Sequence, residues 1–373
     1  MQKADLGVLV DDSQLNHALA GRHGFEYLPF YTIAAEQAGA NVVFFSPRML
    51  PARNGKINAF TWDRTRKSYQ LGEYEIPPAI HNRIIFSKSN AKRVRALFGS
   101  YPTILYNGIT RFDKWEVHQH LSKNPDTSQY LPVTAQFSSP HQMHKWLEQY
   151  ENIYLKPCSG SLGLGVMRLR QAVHEYEISR TENRCSCHYR VSENRLPEIQ
   201  KRMMKRPYLI QEGIPLLAIL EQPVDFRVSA QKGAAGQWEI TGIVAKVGSA
   251  GAHATNLAVG GRAVDAQEVL AKVFDPDMAQ FLYAELGKCA LQIAGEMESM
   301  GPHISDLGLD LAITQEGTIK FIEANGRDLR ITFRNAQRRK MWRHTFTNPI
   351  LYGLYLLGKK EGSDWNESHS AEC

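Results

Sequence analysis

The sequence predicts a multidomain chain with α/β character in its first hundred residues. Length is the first observation: at 373 residues the chain exceeds what one ordinary core organises, so two or three domains are expected. The second is alternation, because β-type apolar runs and helical runs take turns through the N-terminal part, as α/β units require. The third is a hairpin signal near the C-terminus, Asp310-Leu-Ala-Ile-Thr-Gln-Glu-Gly-Thr-Ile-Lys-Phe-Ile-Glu-Ala-Asn325, preceded by a long amphipathic stretch. Composition is that of a globular protein, 43% hydrophobic and 22% charged. Changes of texture place units at 1–107, 108–206 and 207–360, followed by a polar tail over 361–373 that is expected to be disordered.

Taken in order, Leu6 to Val10 is a short apolar strand and Tyr31 to Ala38 a helical run. Asn41 to Phe45 is rich in β-branched and aromatic residues, as suits a buried strand. Ile57 to Tyr69 reads as a hairpin, Ile84 to Phe86 as a strand after Pro77-Pro78, and Ser89 to Leu97 as a helix. Phe112 to Leu121 is a helix capped near Asp113, with Lys114 in its first turn. Pro140 to Gln149 is a second helix, and Asn152 to Lys156 a strand that ends in lysine and runs into a glycine-rich turn. Residues 171–206 are polar and less regular, an insertion or a helix-bearing loop. Short strands return at Tyr208–Gln211, Phe226–Ser229 and Trp238–Val247. Met278 to Met300 places Leu282, Leu286, Ala290, Ile293 and Met297 on one side of a helix.

The hairpin carries the sharpest chemistry. Glu323 and Asn325 lie two residues apart, so their side chains share a face of the returning strand. Asp310 sits where the outgoing strand pairs with the end of the returning one. Three oxygen ligands on one face make the oxygen-only, partly open environment that suits Mg²⁺, with Mn²⁺ as an alternative, when the ion also holds phosphates. The plainer reading is solvent-facing carboxylates on an edge. Leu309, Leu311, Ile313, Phe321 and Ile322 weaken it, because carboxylates beside buried strands need a partner or a metal.

A second signal is Lys156-Pro-Cys-Ser159-Gly160-Ser161-Leu-Gly163-Leu-Gly165. Its glycines let backbone N–H groups face phosphates, and Lys156 offers a point charge at a strand end. No Gly-Lys-Ser/Thr follows, and Val166-Met-Arg-Leu reads as a strand, so the loop is a flap between antiparallel strands and not a P-loop. Gln211, Glu212, Gly213 and Ile214 form a strand-to-loop exit; the plain reading is only that, the functional one a backbone edge for adenine with Glu212 near the sugar or amino group. Asp225 and Arg227 share a strand face, either as an exposed ion pair worth under ~1 kcal/mol or with the arginine neutralising a transferred phosphoryl group. Lys246 lies on the following strand, and Asn256, in a flexible polar loop, faces a phosphate or metal on the functional reading.

Several classes are set aside. No apolar run approaches the ~20 residues that span a bilayer, and the start reads as a strand and not a signal peptide, so the chain is expected to be cytoplasmic. The net charge of +6 is spread among interleaved acids and bases, so nucleic acid is not an expected partner. Five cysteines, an odd number, favour free thiols, and a zinc site at Cys185, Cys187 and His188 lacks a second ligand pair.

In this order, Lys114, Lys156 with its glycine flap, Gln211-Glu212, Asp225-x-Arg227, Asn256 and Asp310…Glu323-x-Asn325 resemble the ATP-grasp superfamily. Phe112-Asp-Lys-Trp, Gln211-Glu-Gly-Ile, Asp225-Phe-Arg-Val, Asn256-Leu-Ala-Val-Gly-Gly and Leu307-Gly-Leu-Asp-Leu bring the likeness closest to the endospore coat-associated YheC/YheD type. The resemblance spans nearly the whole chain. It implies an N-terminal α/β domain, a central lid and a C-terminal α+β domain, with ATP gripped between the last two. It further implies Lys114 and Lys156 on phosphates, Glu212 and its neighbours on adenosine, and Mg²⁺ on Asp310, Glu323 and Asn325. The chemistry implied is ATP-dependent activation of a small-molecule or peptide carboxylate to an acyl phosphate, then attack by an amine or another nucleophile. A phosphotransferase and a non-catalytic nucleotide-binding spore-layer protein are the alternatives, and a homodimer is allowed for. Relatives often follow Glu-x-Asn with Pro-Gly; here Gly326-Arg327-Asp328-Leu329-Arg330 follows, and its arginines, Arg330 especially, are either anchors for an acidic substrate or partners of Asp328 alone.

Overall fold

The computed structural model describes the chain apart from residues 1–2, 23, 51–54, 87, 161–162, 173–174, 183–184, 193–194, 196–205, 250–254, 256, 258–259 and 359–373. Ser161, Asn256 and the tail expected over 361–373 therefore lie outside the described residues. Among the described residues the strands form three six-stranded sheets.

The first sheet contains β1 (Leu6–Leu9), β2 (Val42–Phe45), β3 (Lys56–Asp63), β4 (Ser68–Glu75), β5 (Ala79–Asn82) and β6 (Ile104–Tyr106), in the order β4-β3-β2-β1-β5-β6. β2, β1, β5 and β6 run parallel, and the β3–β4 hairpin extends the sheet antiparallel. Runs such as Leu-Gly-Val-Leu and Val-Val-Phe-Phe are buried along their whole length, as parallel strands covered on both faces must be. Helices Leu28–Gln37 and Arg339–Leu356 cover one face, where Leu6, Val8 and Phe44 meet Tyr31, Phe346 and Ile350. Helix Lys88–Gly99 packs Val94 and Phe98 toward the other. The strand expected at Ile84–Phe86 lies instead at Ala79–Asn82. His81 and Asn82 look like loop residues in sequence, but they are buried because another domain closes over this strand end.

The second sheet is antiparallel: β7 (Thr134–Gln136), β8 (Asn152–Pro157), β9 (Met167–Ala172), β10 (Glu175–Glu182), β11 (Cys185–Ser192) and β12 (Tyr208–Glu212), in the order β11-β10-β9-β8-β12-β7. One face packs Ile153, Leu155, Leu169, Ile178 and Ile210 on Met143 and Leu147 of helix Pro140–Gln149. Within the region expected to be irregular, 171–206, the described residues mainly form the β10–β11 hairpin. Its alternation, Glu175-Tyr-Glu-Ile178, has the period of a strand with one wet face. Cys187 within it is a free thiol, and His188 Nδ1 lies 2.8 Å from Ser179 Oγ.

The third sheet, also antiparallel, contains β13 (Ala218–Ile219), β14 (Gln222–Lys232), β15 (Trp238–Val247), β16 (Arg262–Asp265), β17 (Asp306–Ile313) and β18 (Ile319–Asn325). Its order is β16-β15-β14-β17-β18, with β13 on β14. Phe226, Val228, Leu309 and Leu311 face helix Pro276–Met297, which buries Leu282, Leu286, Ala290, Ile293 and Met297 against them. Each of these side chains except Ala290 contributes roughly 1.5–3 kcal/mol on burial. Asp275 caps this helix by accepting from Met278 N at 3.0 Å.

Two boundaries differ from the sequence expectation. Tyr208–Glu212 belongs to the second sheet, so that unit runs past residue 206. Phe112, Val117, Leu121 and Tyr130 belong to the core of the third sheet, so residues just after 107 pack there. No helix among the described residues is long and apolar enough to cross a membrane.

Candidate active site

The face of the third sheet opposite its helix is polar, and strict alternation makes it so. Phe226 pairs with Leu311 and Val228 with Leu309 on the apolar face, while Arg227 pairs with Asp310 and Gln231 with Asp306 on the other. Asp225 pairs with Lys246 across β14 and β15. Between β17 and β18 the register shifts: Leu311 pairs with Phe321, but Asp310 with Glu323. This bulge at Ile322 moves Glu323 and Asn325 onto the polar face, although they share parity with the apolar Ile319 and Phe321. Lys246, Asp225, Arg227, Asp310 and Glu323 thus form one row across four strands.

The row is internally paired. Arg227 donates from Nε to Asp310 Oδ1 (2.8 Å), from Nη2 to Asp310 Oδ2 (3.1 Å) and from Nη1 to Asp328 Oδ1 (2.9 Å). Lys246 Nζ lies 3.0 Å from both Asp225 Oδ1 and Asp310 Oδ1. Thr255 Oγ1 donates to Asp225 Oδ2. Burial pushes the Asp310 carboxyl up, but Arg227 and Lys246 outweigh it and hold the group well below its ordinary value. For Asp225 burial wins over Lys246 and its pKa is raised. Asp225 and Arg227 are buried and take separate partners; they are not the exposed ion pair that the plainer reading offered.

A cleft opens between the second and third sheets, lined by Phe112, Lys114, His118, Leu131, Thr134, Lys156, Leu209, Gln211, Phe321 and Glu323. Lys114 Nζ donates to Gly160 O (3.2 Å) and lies 3.5 Å from Glu323 Oε2. Its helix, Lys114–Leu121, is capped by Asp113, whose Oδ1 accepts from Trp115 N and Glu116 N while Oδ2 accepts from Ser159 Oγ at 3.0 Å. The N-cap therefore fastens the root of the glycine flap, and Lys114 N donates to Cys158 O (2.8 Å) beside it. Gly163 and Gly165 have φ of 69° and 81°, so the flap needs glycine at both. Lys156 Nζ donates to Gln211 Oε1, and Gln211 Nε2 donates to Thr134 Oγ1 (2.8 Å). Burial lowers the Lys156 ammonium to about 8, with Glu323 opposing and Lys114 adding to the shift.

At the strand exit, Glu212 Oε1 accepts from Val133 N (2.9 Å) and Gly213 N donates to Asn152 O (2.9 Å). A Cβ at Gly213 would sit 1.8 Å from Asn152 Oδ1, so a larger residue there would displace the Asn152 side chain. The Glu212 carboxylate is thus engaged with backbone; Ile214 lies just beyond.

Arg330 differs from its expected role. It is 0% exposed, donates to Asp306 Oδ2 (2.6 Å) and to Tyr31 OH, and stacks on Phe346. A guanidinium with no solvent-accessible surface pins domains together and does not anchor a diffusing substrate. Arg83 shares that junction, donating to Asp306 Oδ2 (2.9 Å), Glu26 Oε1 (2.9 Å) and Asp328 O (2.6 Å). Asn107 Nδ2 donates to Gly326 O at 2.7 Å. The segment after Asn325 is therefore a clasp between the first and third sheets. Sequence reading missed Glu26, His81, Arg83 and Asp306, and it offered Asp328 to the neighbouring arginines where the structure pairs it with Arg227. One signal was present, since Asp306, Gly308 and Asp310 at i, i+2 and i+4 share a strand face.

Among the described residues no group of three or more His, Cys, Asp or Glu side chains is gathered as a ready cation cage. The donor set at the end of β18 nevertheless suits a hard cation that also holds phosphates. Asp310 and Glu323 are cross-strand neighbours, and Asn325 donates through Nδ2 to Gly308 O (3.3 Å), leaving its Oδ1 available.

A mostly parallel sheet, an antiparallel sheet with a glycine flap and a second antiparallel sheet carrying an acid row together define the ATP-grasp fold. The VanG D-Ala:D-Ser ligase of Enterococcus faecalis has this fold, with a TM-score of 0.54 at 11% identity over 95% of this chain and 100% of that one. The sequence matches the YheC/D like ATP-grasp family over residues 103–356, and the chain belongs to that family. Two similar proteins come from Bacillus subtilis (strain 168). Endospore coat-associated protein YheD is 26% identical over 334 residues, 87% of this chain and 72% of YheD. Endospore coat-associated protein YheC is 22% identical over 319 residues, 83% of this chain and 86% of YheC.

Proposed function

We propose that this chain is an ATP-dependent ligase that activates a carboxylate as an acyl phosphate for attack by an amine or another nucleophile. The observation that carries this reading is the convergence of Lys114, Lys156 and Glu323 on one cleft whose floor continues into the Arg227–Lys246–Asp310 row. The apolar walls, Phe112, Leu131, Leu209 and Phe321, suit a base, and the lysine pair suits phosphates. A carboxylate oxygen attacks the γ-phosphorus, the bond to the β,γ-bridging oxygen breaks, and ADP leaves with the electron pair. The nucleophile then displaces phosphate from the acyl carbon and loses its proton to solvent. Arg227 and Lys246 supply fixed positive charge along the row, where charge moves in phosphoryl transfer. Glu323 and Asn325, with Asp310, are the residues that would hold Mg²⁺, which when bound supplies Lewis-acid neutralisation of phosphate charge. The family likeness to the two endospore coat-associated proteins supports a place at the spore coat.

The reading is tested by ADP and phosphate release with ATP, Mg²⁺ and pairs of acids and amines. Release that requires both an acid and a nucleophile supports it; a stable phosphoester in place of free phosphate would show a kinase. Glu323→Gln is expected to lower turnover at least about 100-fold, the scale of losing a group that serves the transition state. Its thermal midpoint should stay close to wild type, because the Lys114 pair it weakens is partly exposed and worth about 0–1 kcal/mol. Wild-type ADP formation in this variant would remove Glu323 from the site.

Lys156 yields a pH prediction. Its folded pKa lies at about 8, below the ordinary 10.5, so the empty cleft loses this charge as pH rises through about 8. ADP affinity measured by calorimetry should then fall by up to about tenfold per pH unit above that point. In Lys156→Met the affinity should be lower at pH 7 and flat over the same window. For stability the sign is opposite: between about 8 and 10.5 the unfolded chain still binds the proton, so folding becomes more favourable as pH rises there.

A further inference from the structure

Each sheet ends in outer strands, and an open strand edge is a template for pairing with another chain. Among the described residues, β6, β7 and β16 are only three or four residues long. Phe321 N of β18 is taken by Tyr130 O. β11 has eight residues, and its exposed side chains, His188, Arg190 and Ser192, are polar. β4 also has eight, about 27 Å of strand, and among the described residues its backbone pairs with β3 alone. It carries Leu71, which is 59% exposed. Cross-strand pairing sets Leu71 beside Phe60 and Tyr69 beside Trp62. The Trp62 and Tyr69 rings meet edge to face at 5.0 Å, and Tyr69 meets Phe44 at 5.8 Å. Leu71 therefore continues an aromatic strip out to the rim of the first sheet.

The charges along β4 change sign from end to end. Arg64, Arg66 and Lys67 precede the strand, and Glu73 and Glu75 lie at its close. Arg64 pairs with Glu36 at 2.8 Å, and Arg66 donates to Gln70 at 3.0 Å. Lys67 enters no ion pair among the described residues. Glu73 accepts from Lys56 at 2.7 Å, and Glu75 lies 3.7 Å from an exposed Lys3. The plainer account is that charged residues guard the edge against association. Guards of one sign repel a second copy in any register. A basic start and an acidic close instead attract a copy laid antiparallel.

We propose that β4 is a homotypic interface, at which two copies of this chain join their first sheets edge to edge into one continuous sheet. A two-fold axis normal to the sheet keeps every side chain on its own face, so residues standing opposite one another must share parity. Leu71 opposite its own counterpart meets that condition. In this register Tyr69 stands opposite Glu73 of the second copy and Lys67 stands beside its Glu75, and symmetry repeats both contacts. Leu71 loses its exposure against its mate, and the outer N–H and C=O groups of β4 exchange water for a ladder. One strand pair is a small interface, so association is reversible and depends on concentration. The inference does not draw on the ligase reading, because the cleft lies between the other two sheets.

The test measures mass and strand protection together. Sedimentation over a range of protein concentrations should show the mass rising toward two chains. Leu71→Arg sets two like charges opposite each other at the axis and should weaken association at least about tenfold. Lys67→Glu should weaken it as well, and adding Glu75→Lys in the same chain should restore it, since the swap keeps both attractions. Hydrogen exchange reads the strand itself: amides in 69–73 should gain protection with concentration in wild type and not in Leu71→Arg. The replaced side chains reach solvent, so melting curves near wild type will show that the variants fold. A chain that stays monomeric at every concentration overturns the proposal. So does a dimer that survives Leu71→Arg, that the charge swap fails to restore, or that forms without protecting β4.

Discussion

Arg227→Met is expected to destabilise the protein by about 3–5 kcal/mol, the cost of removing one partner from a buried ion pair. The variant leaves Asp310 with Lys246 alone and strips Asp328 of its cation, although Asp328 is fully buried. Asp328 Oδ2 already lacks a hydrogen-bond partner within the protein, so the carboxylate has no reserve contact to fall back on. At roughly 2–4 °C per kcal/mol for a unit of this size, the midpoint for the third sheet should drop by roughly 6–20 °C in calorimetry. Arg227→Lys separates structure from chemistry. A lysine keeps a positive charge beside Asp310 but cannot reproduce the fork that reaches Asp310 through two nitrogens and Asp328 through a third. It should melt closer to wild type yet lose about 100- to 1,000-fold in turnover if the guanidinium serves the transferring phosphoryl group. Arg227→Met melting like wild type would refute the view that this buried network stabilises the sheet.

Much of this arrangement is legible in the amino-acid sequence. The hairpin that brings Asp310 opposite Glu323 follows from apolar alternation and a glycine turn, and the flap follows from glycines bounded by two strands. These are local signals, set by residues a few positions apart. The bulge at Ile322 was not legible, because a register shift depends on which residues of β17 face β18 and leaves no mark in composition. Arg330 was misread for a related reason. Its neighbourhood, Gly-Arg-Asp-Leu-Arg, looks like a solvated turn, while its burial is decided by Tyr31 and Glu26, about three hundred residues earlier in the chain. Residues 171–206 were read as irregular because their strands carry charge on one face. Helix Asp12–Leu19 passed unnoticed because its run is mostly polar, with only Gln14 and Leu15 buried.

Asp306→Ala should be the variant that separates the domains. The Asp306 carboxylate accepts from Arg83, Arg330 and Gln231 and lies 3.5 Å from His81, all of them buried. Its removal leaves two guanidinium groups with Glu26 as their remaining carboxylate, so a cost at or above the ~3–5 kcal/mol of a single broken buried pair is expected. The first sheet should then melt apart from the third, and calorimetry should resolve two transitions where a single one is expected for the wild type. Acid titration checks the assignment. Burial raises the Asp306 pKa, but Arg330 and Arg83, with His81, overcome it and hold the carboxyl far below its ordinary value. A depressed carboxylate contributes stability that is fully present above its unfolded value, near 4, and is lost as pH falls toward the folded one. His81 acts in a separate window. Burial holds it at about 4 against an ordinary 6.5, so the unfolded chain binds a proton across that interval that the folded chain refuses, and stability declines from pH 6.5 to 4. Wild type and Asp306→Ala should both lose stability over that upper window, and the gap between them should narrow only below about pH 4. A gap that closes already at pH 6 would assign the junction's acid sensitivity to His81 and not to the carboxylate that joins the two domains.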